Sequence, residues 1–489
     1  MSLLKQLIVL VTSCALVSCA VGPDFHSPSP PAAHSYTKKQ LPKKTTSITN
    51  AGKSGKAQQF NIGQTIPADW WTLYHSVPLN QLITIGLANS PNLAAAKATL
   101  VQAKENYNTQ VGNLLFPAFN LTLNPQRQSF GGSTINNAVP SSVFSLYNTT
   151  VNMTYTLDAF GGSRRQIEAA LAQVDDEYYQ LQGAYLTLTS NIVTTAIAVA
   201  SLQAQITAMK ELIQDNARQL VILKKQFELG GVAQSDVLSQ QTLLEQTRAL
   251  LPPLEINLAQ SQHTLAILIG SSPSESQLPD IHLNALTLPG QLPVSLPSAL
   301  VRQRPDIQAS EALLHQASAQ VGVATANLYP QITLNADYGY SATSPNQMFR
   351  ASSNVWDYGA QLLQPIFHGG ALRAQKRAAI AAYDIAFAQY RQTVLQAFKN
   401  VADVLRALDE DARELKAQKR AEIASRATLQ LTREQFKLGA VTFINVLNAE
   451  QQYQQTVIKR IQAQTARYAD TAALFQALGG GWWNQVIVR

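Results

Sequence analysis

Two stretches of this chain, "KQFELGGVAQSDVL" at 225–238 and "EQFKLGAVTFINVL" at 434–447, are near-copies of each other. In each stretch a helical pattern ends at a Leu-Gly pair, and a second helical pattern begins a few residues later. Glycine readily takes the left-handed conformation that ends a helix, so both stretches predict a helix, a tight turn and a second helix.

Three further pairs of stretches repeat in the same order along the chain, which predicts an internal duplication. They are "NSPNLAAAKATLVQA" (89–103) with "QRPDIQASEALLHQA" (303–317), "LLFPAFNLTLN" (114–124) with "NLYPQITLNAD" (327–337), and "LDAFGGSRRQIEAALA" (157–172) with "PIFHGGALRAQKRAAIA" (365–381). Each half of the chain reads as helix, strand, turn, strand, very long helix, short turn and helix. Two halves of one architecture follow, rather than two independent domains.

The very long helices carry the clearest periodicity. In the first half, apolar residues recur at alternating steps of three and four from Leu171 to Ile213. A sustained 3.5-residue period is typical of coiled-coil packing. A helix from Gly162 to about Glu228 would be roughly 100 Å long at 1.5 Å per residue. Pro252 and Pro253 are expected to kink the returning helix, because they lack backbone donors and clash with the preceding turn.

Segments of alternating apolar and polar residues follow the first helix of each half. They include "FNLTLN" (119–124), "VNMTYTLD" (151–158), "QITLNADYGY" (331–340) and "VWDYGAQLLQPIF" (355–367). This pattern fits membrane-spanning strands, and it equally fits one face of a small soluble sheet. If the four strands do cross a membrane, several copies must share one barrel, because about eight strands is the usual lower limit.

The amino terminus reads as a lipoprotein signal. Lys5 precedes a short apolar core, and "LVSC" at 16–19 has the pattern aliphatic, tolerant, small, cysteine. The pattern predicts removal of residues 1–18 and acylation of Cys19 on its sulfur and its new amino group; the alternative is an ordinary signal peptide with an unmodified cysteine. The other cysteine, Cys14, would leave with the signal, so no disulfide is expected. Two or more acyl chains suffice for stable membrane attachment.

Composition and motifs give no support for an enzyme or a nucleic-acid binder. Only 14% of residues are charged, and the net charge of +7 is spread along helical stretches. The stretch "FGGSRR" at 160–165 lacks the spacing of a phosphate-binding loop, and the seven histidines lack metal-ligand spacing. We therefore expect no catalytic residues, no metal and no cofactor beyond the lipid on Cys19.

The chain resembles the TolC-like outer-membrane efflux proteins, and most closely their lipoprotein branch that serves resistance-nodulation-division pumps. The residues that carry the resemblance are "CAVGPDFHSP" (19–28), "DWWTLYHSVPLNQLI" (69–83), the "QF-x-LG" turns at 226–230 and 435–439, and "ALGGGWW" (477–483). The resemblance implies a mixed α and β membrane protein that forms a homotrimer. Four strands per chain would build a 12-stranded β-barrel, continuous with a long periplasmic α-helical coiled-coil barrel.

The same resemblance implies a function and partners. Such proteins are passive exit ducts in the outer membrane, and a periplasmic adaptor and an inner-membrane pump dock onto their helical tip. Gly230, Gly231 and Gly439 match that tip, where the adaptor engages and the pore constricts. Two other transport or structural roles stay open: the exit duct of a type I protein-secretion system, and a lipid-anchored coiled-coil scaffold without a pore.

Three polar residues match the gate of the family's tip. Asp236 corresponds to an acidic position that recurs there. In the second half the family often has "DVLDA", whose carboxylates form a negative ring, whereas this chain has "NVLNA" with Asn445 and Asn448. This departure predicts a weaker preference for cations and a constriction held by hydrogen bonds.

The expected domain boundaries follow from the repeat and the amino-terminal signal. They are a signal peptide (1–18), an acylated tether (19–68), a first efflux repeat (69–290), a second repeat (291–481) and a carboxyl-terminal tail (482–489). The Trp pairs at 70–71 and 482–483 are expected to pack near the middle of the helical barrel, because both lie outside the strand segments.

Overall fold

A computed structural model describes residues 20–33, 35–38, 42–49, 51–130 and 142–484. The predicted signal peptide, Cys19 and the residues 131–141 between two strands lie outside this part of the chain. The described helices are α1 (Val77–Asn89), α2 (Pro91–Leu115), α3 (Gly162–Glu228), α4 (Gln234–Ala249), α5 (Leu251–Leu268), α6 (Pro297–Gln303), α7 (Pro305–Ala326), α8 (Ala371–Lys437) and α9 (Phe443–Ala477). The described strands are β1 (Gln59–Ile62), β2 (Ala118–Phe130), β3 (Ser142–Leu157), β4 (Gln291–Val294), β5 (Gln331–Ala342) and β6 (Asn354–Leu363).

The chain divides into two compact units. The first contains the described residues up to Pro28 together with Thr99–Tyr178 and Ala309–Arg391. It holds an antiparallel sheet in the order β2-β3-β5-β6, which joins the strands of both repeats side by side. β2 and β3 are longer than the alternating segments predicted for them, at 13 and 16 residues.

The second unit contains Ser29–Ala98, Tyr179–Gln308 and Gln392–Arg489. Its core is built around Trp70, which is 1% exposed and stacks on Phe475 with ring centroids 5.1 Å apart. Trp482 donates its ring N–H to the backbone oxygen of Gln303 at 2.7 Å. Both tryptophans thus pack outside the strands; their position near the middle of a helical barrel stays a prediction.

A buried arginine fastens the amino-terminal part of this unit to α9. Arg467 is 0% exposed, and its guanidinium donates to the backbone oxygens of Ser54 and Lys56 at 2.5 and 2.7 Å and to the Thr45 hydroxyl at 3.1 Å. Charged hydrogen bonds of this kind contribute more than neutral ones. Arg467 therefore connects Thr45, Ser54 and Lys56 to α9.

A pair of carboxyl groups lies near the same arginine. Burial, and then the hydrogen-bonded carboxyl of Asp470, raise the pKa of Asp411 to about 8. The charge of Glu414 acts in the same direction, and that of Arg467 opposes it. Two carboxylates that share a site cannot both ionise without repulsion, so Asp411 holds a proton near neutral pH.

The long helices and the duplication match their predictions. α3 covers the predicted range, and α3 and α8 each contain 67 residues. Most of the predicted coiled-coil positions on α3 are buried or half-buried, but Leu171 is 45% exposed in the single chain. At the predicted kink α4 ends and α5 begins after the single residue Leu250, because prolines fit only the first turn of a helix.

α3 also contains a stretch apolar and long enough to cross a membrane by composition alone. In this chain 56% of that stretch is buried inside the protein. Core helices of soluble domains meet the same criterion, so this stretch does not by itself indicate a membrane-crossing helix.

Candidate functional site

Over most of its length the four-stranded sheet has one mainly polar and one mainly apolar face. Exceptions include Phe144, Leu146 and Val355 on the polar face and Arg127 on the apolar face. In an antiparallel sheet directly paired residues point to the same face, so the register assigns each side chain to a face. The polar face carries Asn120, Thr122, Asn124, Asn148, Thr150, Asn152, Thr154, Thr156, Thr333, Asn335, Asp337, Ser341, Asp357 and Gln361. The other face carries Phe119, Leu121, Leu123, Tyr147, Val151, Met153, Tyr155, Leu157, Ile332, Leu334, Tyr338, Tyr340, Trp356, Tyr358 and Leu362. Alternation of this kind across all four strands is typical of a wall between lipid and water.

One row of the polar face crosses the whole sheet. Asn120 pairs with Asn152, Asn152 with Asp337, and Asp337 with Asp357. The side-chain amide of Asn152 donates to the carboxylate of Asp337, and the Thr122 hydroxyl donates to the Asn152 side-chain oxygen at 2.9 Å. Within the described strands of this sheet, these two aspartates are the ionisable residues on the polar face.

The sheet has two outer strands, β2 and β6. The side chains of β6 are almost all exposed, including Trp356 at 64% and Tyr358 at 78%. On β2, Phe119 is 68% exposed. Each outer strand also presents backbone groups along one edge, and such an edge is not tolerated in lipid without a partner strand.

The first predicted helix turn ends α3 with two nested backbone hydrogen bonds. Gly230 has φ +76°, its N–H donates to the Phe227 oxygen at 2.9 Å, and the Gly231 N–H donates to the Gln226 oxygen at 2.7 Å. This is the Schellman arrangement, which favours glycine because its φ is positive. Leu229, just before the glycine, is 84% exposed.

The second turn reproduces the first at the end of α8. Gly439 has φ +75° and donates to the Phe436 oxygen at 2.9 Å, and Ala440 donates to the Gln435 oxygen at 2.9 Å. Leu438 precedes the glycine and is 84% exposed, like its counterpart in the first turn. The sequence predicted both turns, and the structure gives them the same geometry.

Asp236 and Asn445 lie in the first turns of the returning helices, and Asn448 lies one turn further along α9. The carboxylate of Asp236 accepts the Ala233 N–H at 3.4 Å, which is one half of a capping box, since alanine has no acceptor to return. The Asn445 amide donates to the Thr442 hydroxyl at 3.4 Å. Asn445 and Asn448 are exposed. Within one chain, Asp236 and Asn445 each form a hydrogen bond at the start of a returning helix.

The four helices α3, α4, α8 and α9 share one apolar cluster next to the turns. Its buried members are Leu220, Leu223, Val237, Leu243, Leu244, Leu429, Phe443, Val446, Leu447 and Ala449. Phe436 packs against the cluster with its ring 5.2 Å from that of Phe443. The cluster joins the helix pairs of both repeats into one unit of structure.

A buried ion pair lies between the same helices, and sequence reasoning missed it. Glu450 is 4% exposed and accepts from the Arg433 guanidinium at 2.8 Å. Burial raises the pKa of Glu450, and the hydrogen bond from Arg433 opposes that shift. The signal was present in the sequence, because Glu450 falls among the apolar positions of α9 between Val446 and Val457.

Comparison with known proteins identifies the family. A family model described as outer membrane efflux protein matches residues 82–271 and 296–480, one match in each half of the chain. The chain belongs to the outer membrane efflux protein family. It is therefore an outer-membrane exit channel for efflux, and the predicted family, location and general function are confirmed.

Individual relatives match almost end to end. The chain is 29% identical over 417 residues to the pyoverdine export outer membrane protein OpmQ of Pseudomonas putida, covering 84% of this chain and 88% of that protein. It is 27% identical over 483 residues to the toluene efflux pump outer membrane protein TtgC of the same species, covering 98% and 96%.

A solved structure shares the fold. The outer-membrane channel OprN superposes with a TM-score of 0.85 at 26% identity, covering 95% of this chain and all of that one. The predicted fold class is thus confirmed in its mixed α and β content, its long helices and its internal repeat.

Proposed function

We propose that three copies of this efflux protein close one 12-stranded barrel. Four strands with two open edges cannot remain in lipid, and fewer than about eight strands do not close. Three copies of four strands satisfy both conditions, and the resemblance to TolC-like proteins favours that number. The apolar face of each sheet would then contact lipid, and the polar face would line the channel. This two-faced sheet is the observation that carries the proposal.

We propose that the helix turns are the docking tip for a periplasmic adaptor, with a resistance-nodulation-division pump behind it. Leu229 and Leu438 support this assignment, because each is 84% exposed beside a positive-φ glycine. Exposed apolar side chains in equivalent places of both repeats suit a protein partner. Gly230, Gly231 and Gly439 would shape the contact surface, and three copies would present six such turns.

We propose that Asp236, Asn445 and Asn448 line the constriction at this tip. The two asparagines are exposed and offer both donors and acceptors, so hydrogen bonds between copies would hold the gate. The uncharged amides would make the gate less selective for cations than a ring of carboxylates. In a single chain, Asp236 is partly committed to the Ala233 N–H.

We further propose that residues 1–18 are a signal peptide and that Cys19 carries the membrane anchor. The domain boundaries would then be a tether over 19–68, repeats over 69–290 and 291–481, and a tail over 482–489. The duct would act without catalysis and without a cofactor other than this lipid. Small toxic organic compounds are the proposed cargo, in line with the toluene efflux and pyoverdine export named for its relatives.

Accumulation of fluorescent efflux dyes tests the function. The host lacks its own exit ducts, retains its pumps, and carries the gene for this chain, a Cys19→Ala version or an empty vector. We expect lower dye accumulation with the gene, and a pump poison should abolish the difference. The Cys19→Ala version measures how much the anchor contributes.

One outcome would overturn the proposal. If the protein is present in the outer membrane with a compatible adaptor, and no dye in a broad panel accumulates less, the duct does not serve drug efflux. Secretion of a type I substrate protein in the same cells would then identify the alternative duct, and the absence of both activities would favour the scaffold.

A further inference from the structure

The residues directly after Cys19 are docked onto the first unit rather than extended from it. The Val21 N–H donates to the backbone oxygen of Phe160 at 3.0 Å. Ala20 lies against Gly161, where an added Cβ would come within 2.5 Å of the Ala20 Cα. Phe160 itself follows β3 by three residues, so this contact lies at the junction between strand and helix.

An arginine in the first turn of α3 holds the same segment by its charge. The Arg165 side chain is 7% exposed and donates to the Asp24 carboxylate at 2.6 Å and to the Glu168 carboxylate at 2.7 Å. The hydrogen bond from Arg165, followed by its charge, lowers the pKa of Asp24. A planar guanidinium can bridge two carboxylates in this way, whereas a lysine cannot do so with fixed geometry.

A histidine on α7 supplies the third contact. The Phe25 ring stacks on the His315 ring with centroids 4.4 Å apart and planes inclined by 14°. His315 Nε2 lies 2.8 Å from Glu168 Oε1, while the other oxygen of Glu168 accepts from Arg165. Glu168 therefore connects the arginine that binds Asp24 with the histidine that binds Phe25.

Two glycines allow the close approach of the segment to α7. Gly22 has φ +100°, and an added Cβ there would lie 2.5 Å from the Gly322 Cα. An added Cβ on Gly322 would lie 2.7 Å from Cγ and 2.9 Å from Cδ of Arg165. A side chain at Gly322 would thus displace the buried stem of the arginine that holds Asp24.

We infer that Arg165, Glu168, His315 and Gly322 form a clamp that fixes the segment Ala20–Phe25, and with it the lipid anchor, at the strand-to-helix junction. This rests on the proposed acylation of Cys19. Ala20 is already docked, and one residue spans at most about 3.5 Å. The acyl chains therefore enter the membrane beside Phe160, near the end of β3. The anchor then fixes how deeply the sheet lies in the membrane.

The second repeat provides an internal comparison. Arg373 occupies the place of Arg165 in the paired stretches, at the start of α8, and it is exposed. Glycine at 112, in α2, is a second comparison, because an added Cβ there meets nothing within 4 Å. Arg373→Ala and Gly112→Ala are thus matched controls for Arg165→Ala and Gly322→Ala.

Proteolysis of the purified full chain tests the clamp. Chymotrypsin cuts after Phe25 only when the ring leaves His315, and cleavage tracks the population of the open form. We expect cleavage at Phe25 to be about tenfold faster in Gly322→Ala and Arg165→Ala than in the wild type, with both controls unchanged. Hydrogen exchange of the peptide that contains Val21 should accelerate in the same two variants.

The outcomes separate the clamp from the proposed anchor. Equal cleavage rates in the wild type, Gly322→Ala and Arg165→Ala would overturn the clamp. Intact-mass measurement of the same samples shows whether Cys19 carries acyl groups. A clamped but unacylated chain would refute the anchor alone, and an acylated chain with unprotected Phe25 would refute the clamp alone.

Discussion

Arg433→Ala is the most informative perturbation of the tip, because it leaves Glu450 buried without its partner. The Arg433–Glu450 contact is 2.8 Å, and Glu450 is 4% exposed. At an effective dielectric constant of about 20, two unit charges at this separation attract by about 6 kcal/mol, which is an upper bound. The cost of desolvation offsets part of that attraction, and Arg433 is 30% exposed, so we expect a net loss of about 2 kcal/mol.

That loss should appear as local opening of the helices near the turns. A change of 2 kcal/mol is roughly a 30-fold increase in the open population. Hydrogen exchange of peptides from α4 and the start of α9 measures it in the assembled protein, where global unfolding is hard to reach. The double variant Arg433→Ala/Glu450→Gln should recover most of the protection, because no buried charge remains.

The pH dependence of the protection lost in Arg433→Ala is an independent test. Burial raises the pKa of Glu450 above its unfolded value, so its contribution to the free energy of unfolding is most favourable below that value and is lost as the pH rises through the folded pKa. Arg433→Ala removes the group that opposes the raised pKa of Glu450, so Glu450 should take up a proton more readily in this variant. The protection lost in Arg433→Ala should therefore shrink as the pH falls from 8 to 5. A loss that is independent of pH, or a double variant no better protected than the single one, would refute this reasoning.

Three further predictions concern other parts of the chain. Asp337→Asn should lower the ratio of cation to anion permeability in planar bilayers, because it removes a charge from the polar face of the sheet. Asp411→Asn should raise the melting temperature, and the gain should grow from pH 5 to pH 8. Burial and Asp470 raise the folded pKa of Asp411 to about 8, so over this range the unfolded chain loses the proton that the fold keeps, and the free energy of unfolding of the wild type falls as the pH rises. Leu229→Asp and Leu438→Asp should weaken adaptor binding in a pull-down or titration, with little effect on melting, because both leucines are 84% exposed.

Each of these has a control in the same chain. Thr333→Asn changes a side chain on the same sheet face without changing charge, and it should leave permeability ratios unchanged. Glu414→Gln lies near Asp411 and should give a smaller gain in melting temperature. Leu238→Asp, at a 54%-exposed position beyond the first turn, should spare adaptor binding. An equal effect of variant and control would contradict the corresponding prediction.

The local features of the fold could be predicted from sequence because they depend on neighbours in the chain. The period from Leu171 to Ile213 predicted a long helix, the Leu-Gly pairs predicted both turns, and the prolines predicted the break after α4. The alternation of residues indicated strands with two distinct faces. The alternation did not distinguish a membrane-spanning sheet from a soluble one. It shows that one face is apolar, but not whether lipid or protein contacts that face.

The features that escaped sequence reasoning depend on distant pairings. The row from Asn120 to Asp357 exists only in one register of four strands, and a shift by one residue would send each side chain to the other face. The contact of Asp24 with Arg165 joins residues 141 positions apart. No periodicity reports such a pairing, so the clamp could be recognised only from the structure.

The equal lengths of α3 and α8 constrain how this protein can change in evolution. Each has 67 residues between a strand and a positive-φ glycine turn, although the two helices differ at most positions. Insertion of one residue into either helix would rotate everything beyond it by about 100° and advance it by about 1.5 Å, which would take the shared apolar cluster out of register. We therefore expect tolerated insertions to occur in both α3 and α8 and in multiples of seven residues, so that the two repeats lengthen together.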